Sequence, residues 1–337
     1  MKDKVLVYGA TGYTGKLFAR FMVEKGQSPI LAGRRDNIVP VGKELGCETR
    51  IFSVDAVGDA LKDVNVLVNA AGPFAKTQKG LIQACIDSGT HYLDIAGEVP
   101  EMETAYSFQE AAEKAGVLVI PAAGFGVLPT DMAARLASEA MPDATHLRIA
   151  FATQGGASRG TLKTVLKDIA KPGIVVREGK AETAMPGTST HTFQAGGKSF
   201  KTVYNPWRAD LFTAQHSTGI PNIETYSNFP GFVVRMMKGK LGWLRNLMLN
   251  RLINWLPEGP SDKQLKKGKT FVQAEVRNAN GRAKTVTILG PEAYQFTVES
   301  LWQIAQNIQN GTDHRGVKPP SVFGREVIEG IPGVSIQ

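Results

Sequence analysis

Three glycines at three-residue spacing, Gly9, Gly12 and Gly15, follow the apolar run Val5-Leu6-Val7-Tyr8 and precede a helix-like Lys16-Leu17-Phe18-Ala19-Arg20-Phe21. The chemistry open to such a turn is phosphate binding. Gly9 permits a tight turn that a Cβ would obstruct, Gly12 lets backbone N–H groups approach a pyrophosphate, and Gly15 lets the helix lie close on a sheet. The helix N-terminus then aims unpaired donors and a positive dipole end at the anion. A second strand-like run, Pro29-Ile30-Leu31-Ala32, comes about one βαβ unit later and supplies the context of a dinucleotide site.

The residues that end this second run select the dinucleotide. Sites for the unphosphorylated cofactor usually place an acid there, to accept from the ribose hydroxyls. Here Gly33 is followed by Arg34 and Arg35, two guanidinium groups where a 2′-phosphate would lie. The expected cofactor is NADP.

Hydride chemistry on such a cofactor needs positioning, plus a proton donor or oxyanion-stabilising group near the reacting carbon. Tyr92, Asp94 and Glu98 fall at the carboxyl end of a later strand, the side where open α/β sheets bind ligands. If Asp94 and Glu98 converge, repulsion and desolvation would raise one pKa into the range of a useful acid. The alternative is structural, with Asp94 capping a helix, Glu98 in a loop and Tyr92 in the core. His91 reads as a buried or turn-facing imidazole, and Asp131 as part of a helix start with Thr130. Tyr204 and His216 are candidates for lining a substrate side. Hydrolysis by a Ser-His-Asp triad is not expected.

The elements that must position these residues alternate in the manner of a parallel sheet. Strand runs at Val5–Tyr8, Pro29–Ala32, Thr49–Val54, Val66–Asn69, His91–Asp94 and Val117–Ile120 are separated by helical runs at Gly12 onward, Ile38–Leu45, Val57–Leu61, Gln78–Asp87 and Glu101–Ala115. Six strands make a complete dinucleotide sheet. After a helix at Thr130–Met141 the texture turns mixed, and a final helical run from Tyr294 to Ile308 stops at Gly311. The fold class expected is α/β: a Rossmann-type doubly wound parallel sheet over residues 1–135, a second α+β domain over 136–289, and a return segment, 290–337, whose helix packs on the first domain.

Composition bounds the rest. With 337 residues and 42% apolar content the chain can form two packed lobes. The two cysteines, Cys47 and Cys85, build no disulfide framework and match no metal-ligand spacing, so a reducing, cytoplasmic setting and no metal are expected. Strand-like residues from Val5 onward argue against a signal peptide, and no run is long enough to span a bilayer. Of the net charge of +8, residues 231–269 carry nine Lys and Arg against two acids. No nucleic-acid motif accompanies them. Within this region, residues 232–256 form a basic amphipathic stretch. On a helical wheel Arg235, Lys238, Asn246 and Asn250 group opposite a wide apolar band that includes Trp243 and Trp255. Three uses stay open for it: a peripheral contact with a lipid interface, a lid over a long apolar substrate, or a homo-oligomer contact.

Taken together, Gly9-Ala10-Thr11-Gly12-Tyr13-Thr14-Gly15, Leu31-Ala32-Gly33-Arg34, Val68-Asn69-Ala70-Ala71-Gly72-Pro73-Phe74, the run Gly89–Glu98 and the run Gly124–Asp131 resemble the saccharopine dehydrogenase-like NADP-binding family, and within it the branch of trans-acting enoyl reductases. The likeness is specific over roughly the first 135 residues, near Tyr294–Thr297 and near Pro319–Gly324. It departs at Gly126-Val127-Leu128, where relatives often carry Asp and Ser. The resemblance implies that Gly9, Thr11, Gly12, Tyr13 and Gly15 form the phosphate turn, Arg34 the 2′-phosphate contact, Asp55 the adenine neighbour, and Ala71, Gly72 and Pro73 the nicotinamide-side wall; Thr14 within the turn and Arg35 beside Arg34 are counted with them as cofactor-binding residues. It also implies an NADPH-dependent reductase acting on an enoyl or carbonyl group of a small-molecule, lipid-like or acyl-carrier-bound substrate. Two alternatives stand beside it. One is a C–N oxidoreductase of the saccharopine type, for which Arg148, Arg159 and Arg208 could clamp carboxylates; the other is a non-catalytic NADP-binding protein at a membrane surface.

Overall fold

Strands covered on both faces read as near-continuous Val, Leu and Ile, and such runs build the first sheet. In the computed structural model, which describes residues 2–337, they appear in chain order as β1 (Lys4–Tyr8), α1 (Tyr13–Glu24), β2 (Ile30–Gly33), α2 (Ile38–Leu45), β3 (Thr49–Ile51), β4 (Val64–Asn69), α3 (Phe74–Ser88), β5 (His91–Asp94), α4 (Val99–Tyr106), α5 (Gln109–Lys114) and β6 (Leu118–Ile120). The order across the sheet is β3-β2-β1-β4-β5-β6, all parallel. That is the doubly wound arrangement, with its switch point between β1 and β4.

The remaining elements are α6 (Leu128–Glu139), β7 (Ala144–Gln154), α7 (Arg159–Asp168), β8 (Gly173–Arg177), β9 (Lys180–Ala184), β10 (Thr190–Ala195), β11 (Lys198–Tyr204), α8 (Asp210–Thr218), β12 (Asn222–Ser227), α9 (Gly231–Met237), α10 (Gly242–Leu247), α11 (Asp262–Lys267), β13 (Lys269–Asn278), β14 (Ala283–Pro291), α12 (Ala293–Gln309), β15 (Gly316–Val317), α13 (Arg325–Glu329) and β16 (Ser335–Ile336). The chain divides into two units. One holds the residues through Leu128 together with Phe296–Ile331, and the other holds Pro129–Gln295 with Pro332–Gln337.

In the first unit Val66, Leu67 and Val68 have no exposed surface, and Leu81, Ile82 and Cys85 of α3 are equally buried. Each of the buried Val, Leu and Ile side chains contributes about 1.5–3 kcal/mol through burial. The sheet has seven strands rather than six, because β15 pairs with β6 in parallel. A two-residue strand has no periodicity to read, which is why the sequence hides it. Phe296, Leu301, Ile304 and Ile308 of α12 are buried, within the segment assigned to this unit.

Two other expectations are corrected. The single helix over Glu101–Ala115 is two helices, α4 and α5, separated at Ser107, whose hydroxyl donates to Thr104 O at 2.7 Å and so takes up a carbonyl of the last turn. The expected helix near Val57–Leu61 is one 3-10 turn, Gly58–Leu61.

The second unit is a mixed sheet in the order β10-β11-β12-β7-β13-β14-β16, with β8 pairing β12 and β9. β7 runs parallel to β12 and antiparallel to β13. The stretch 232–256 belongs to this unit and is not one helix. α9 stops where Gly239 and Leu241 take left-handed backbone angles, φ +73° and +59°, and after α10 the chain makes a π turn at Met248–Leu252 and a 3-10 turn at Ile253–Trp255. A single helical wheel therefore does not describe it. The side chain of Asn250 lies outside the described residues.

Candidate functional site

Strand register gathers the first unit's polar residues at one edge. Tyr8 pairs with Ala32 on one side and with Asn69 on the other, and Asn69 pairs with Asp94. The chain beyond each strand, at Gly9, Gly33-Arg34, Ala70-Ala71 and Ile95, thus leaves the sheet at its carboxyl end, where open parallel sheets bind ligands.

The glycine turn is held by its own backbone. Gly9 N–H donates to Ala32 O at 2.8 Å, Gly12 N–H to Gly9 O at 2.9 Å, and Gly9 sits at φ +87°. A Cβ on Gly9 would lie 2.8 Å from the Cα of Ala71, and one on Gly15 would collide with the carbonyl of Gly9. The first position therefore lets the β4–α3 loop approach the turn, and the third lets α1 lie on β1. Gly12 caps α1 without a side-chain hydrogen bond, and the first turn of α1 has no acid. The first-turn amides of a helix have no partner inside it, so this is a donor-rich, electropositive end with nothing negative built into it. Thr11 and Gly12 are exposed there, with Tyr13 and Thr14 half-buried behind them.

Arg34 and Arg35 follow β2 and are both exposed. Asp55 is exposed as well, and its charge and that of Arg34 both reach the Tyr8 phenol. Burial pushes that phenol's pKa up; Arg34 opposes the shift and Asp55 adds to it. The turn, the arginine pair and Asp55 are together compatible with a phosphorylated dinucleotide, and no acid takes the position after β2.

Asn69, absent from the residues singled out by sequence, organises the next loop. It is fully buried; its Oδ1 accepts from Ala71 N–H at 3.0 Å, and its Nδ2 donates to Tyr92 Oη at 2.9 Å and to Thr77 Oγ1 at 3.2 Å. Thr77 in turn donates to Ala71 O at 2.8 Å. Ala71 is clamped through both its N–H and its carbonyl, while Gly72 and Pro73 beyond it are exposed. The clue in sequence was an amide closing the apolar run Val66-Leu67-Val68.

Tyr92 and Asp94 are brought together, Tyr92 Oη donating to Asp94 Oδ2 at 3.0 Å, but both are fully buried. Asp94 also accepts from Gln78 Nε2 at 2.8 Å, Ala96 N–H at 3.0 Å and Ala122 N–H at 2.8 Å. Burial raises the Asp94 carboxyl's pKa, opposed by these donors, and raises that of the Tyr92 phenol well above its ordinary value. Glu98 does not join this pair through a hydrogen bond in the described contacts; its Oε2 accepts from Gly97 N–H at 2.9 Å at the start of α4.

One helical turn on, Glu101 was also missed by sequence reading. Burial first, then the charge of Glu98, raises its carboxyl to about 7, although it accepts from the amide of Ala75 in α3. One of its oxygens is buried without a hydrogen-bond partner. Spacing alone held the hint, since Glu98 and Glu101 face one another across the first turn of a helix. His91 accepts from Leu118 N–H at 2.9 Å, and burial, with Arg315 and Lys2, lowers it to about 4, leaving it neutral.

In the second unit Asp131 is buried and accepts from Ser217 Oγ at 2.6 Å. Tyr204 sits in the sheet's core beside Tyr226, and His216 stacks on Phe212 within its own helix. All three arginines weighed as a carboxylate clamp face acids: Arg208 grips buried Asp210 with two bonds of 2.8 Å, Arg148 lies 3.3 Å from Glu275, and Arg159 lies 3.3 Å from Glu258. The chain also holds a Gly-x-Ser-x-Gly spacing at Gly156–Gly160, which a sequence reading against hydrolysis passes over. Its Ser158 has unstrained extended angles and accepts from Thr161 N–H as the cap of α7, so it lacks the strained elbow of a nucleophile.

Residues 5–120 match the family model described as the saccharopine dehydrogenase NADP binding domain. Over this stretch the chain is similar to that domain. The matched range takes in the strands β1 through β6, the glycine turn, Arg34 and Asp94. A lipid droplet localized protein of Caenorhabditis elegans is 28% identical over 148 residues, covering 38% of this chain and 34% of that protein. A trans-acting enoyl reductase of Mycobacterium bovis is 28% identical over 141 residues, covering 38% of this chain and 34% of the relative. The chain thus spans about a third of the length of these curated relatives. In fold the likeness extends further: saccharopine dehydrogenase (L-Glu forming) of Saccharomyces cerevisiae superposes with a TM-score of 0.66 at 13% identity over 99% of each chain.

Proposed function

We propose that the protein is an NADPH-dependent oxidoreductase that reduces an enoyl or carbonyl group on a lipid-like or carrier-bound substrate. The observation that carries this reading is the uncapped, acid-free start of α1 beside Arg34 and Arg35. Bound there, NADPH supplies a hydride. The first-turn amides of α1 would hold the pyrophosphate, the arginine pair would hold the 2′-phosphate, and Ala71–Pro73 would form the wall on the nicotinamide side.

Tyr92, Asp94 and Asn69 act in this reading as positioning residues. Full burial keeps them from substrate, while the Asn69–Ala71 bond fixes the wall they support. The proton that completes the reduction then comes from the half-buried Glu98 and Glu101 pair or from water.

The name of the Mycobacterium bovis relative favours the enoyl branch. The saccharopine-type alternative has less support, because a carboxylate clamp would first have to break Arg208 from buried Asp210. Leaving that acid buried without its partner costs several kcal/mol. Calorimetric titration of NADPH and NADH on the wild type and on Arg34→Ala tests the cofactor assignment. Tight NADPH binding that weakens at least tenfold in the variant, with NADH poor in both, is expected; equal losses for the two nucleotides would sink it. NADPH consumption on enoyl thioesters against imines of amino-dicarboxylates then separates the two branches.

A further inference from the structure

The stretch 232–256 has two unlike faces. Inward, Val233, Met236, Met237 and Ile253 are buried with Leu166 and Ile169 in a core of the second unit. Outward it exposes Phe232, Trp243, Leu247, Leu252, Trp255 and Leu256, six of the eight exposed large apolar side chains among the described residues. Trp255 is 88% exposed and Trp243 69%. An apolar patch of this kind on a well-anchored segment marks a surface that something else covers.

The charge around the patch says what that is. Arg235, Lys238, Lys240, Arg245 and Arg251 lie in this stretch and no Asp or Glu does. A second copy docking on the same face through a two-fold axis would set these cations against their own images, a like-charge contact that costs rather than gains. An anionic surface satisfies them, and indole rings with basic neighbours are the side chains that settle at the boundary between lipid and water. Among the described residues no helix is long and apolar enough to cross a membrane, and the elements here are turns of a few residues, so the segment would lie on a bilayer rather than enter it.

We infer that residues 232–256 are a docking surface for an anionic phospholipid bilayer, with Trp243 and Trp255 inserted at headgroup depth and the five cations against the phosphates. Docking would hold the reductase where apolar substrates partition. The inference itself does not depend on the activity.

Cosedimentation with phosphatidylserine-containing and with pure phosphatidylcholine vesicles tests it, on the full chain and on the pair Trp243→Ser and Trp255→Ser. A second variant, Lys238→Glu with Arg251→Glu, keeps the indoles. All four positions are exposed, and unchanged NADPH affinity and circular dichroism certify the fold. Expected are binding to the anionic vesicles that falls with salt, a blue shift of tryptophan emission on binding, and a loss of at least tenfold in each variant. Absence of binding to anionic vesicles, or binding unchanged in the serine variant, would overturn the inference. So would a dimer in sedimentation equilibrium that the serine variant dissolves, which would assign the face to a second copy. Failure here leaves NADPH affinity untouched, so it is distinguishable from failure of the reductase reading.

Discussion

At the residue scale the informative contrast is between Asp94 and Glu101. Asp94 is fully buried but accepts four hydrogen bonds, so its role is to fix backbone at Ala96 and Ala122 and to hold Tyr92. Glu101 is less buried and poorly satisfied, with Glu98 and Asp94 both acting against its ionisation. Its folded-state pKa, about 7, stands above the ordinary 4.5. The folded protein therefore holds this proton where the unfolded chain has released it, and stability declines as pH rises from about 4.5 through about 7. Glu101→Gln should flatten that part of the profile and melt higher than the wild type above pH 7. Thermal melts across the pH range check this, and an unchanged slope would remove the shift. If Glu101 also exchanges protons with substrate, the same variant should lose the corresponding limb of the kcat profile.

At the element scale the β1–α1 turn binds two demands together: α1 must lie against β1, and the β4–α3 loop must reach Gly9. Gly15→Ala places a methyl against the Gly9 carbonyl, which is backbone and cannot turn aside. The expected result is a loss of about 1–3 kcal/mol in chemical denaturation and a drop in NADPH affinity of at least tenfold. Equilibrium titration and urea unfolding measure both. A variant with full affinity would mean that α1 can shift without moving its amides. The Asn69 clamp on Ala71 belongs to the same scale, since one buried amide sets a loop that itself carries almost no polar side chains.

At the scale of the whole molecule the first unit is discontinuous in sequence. Phe296–Ile331 completes it, supplying buried residues of α12 and the seventh strand. Ending the chain after Gln295 should therefore abolish the soluble NADPH-binding unit even though the entire glycine turn and Arg34 remain. Removing only β16, which contributes two residue pairs with β14, should cost little. Soluble yield and the rise in Tm on adding NADPH distinguish the two truncations. A shortened chain that still binds NADPH would show that the first six strands suffice.

What the sequence by itself determined was local or periodic: the glycine turn, the apolar strand runs, the arginine pair after the second strand, and the family likeness these carry. Each rests on a few neighbouring residues whose backbone requirements do not depend on distant chain. What only the tertiary structure decided depended on burial and on partners far away. Tyr92 and Asp94 stood open between a catalytic and a structural role until β5 was buried, and Arg208 stood as a candidate carboxylate clamp until Asp210 met it in a buried pair. β15 had too few residues to signal a strand, and the stretch 232–256 kept an amphipathic pattern across breaks at Gly239 and Leu241 that a helical wheel cannot see. Side-chain chemistry is written in the sequence, but access to solvent is set by which segments the fold packs over it.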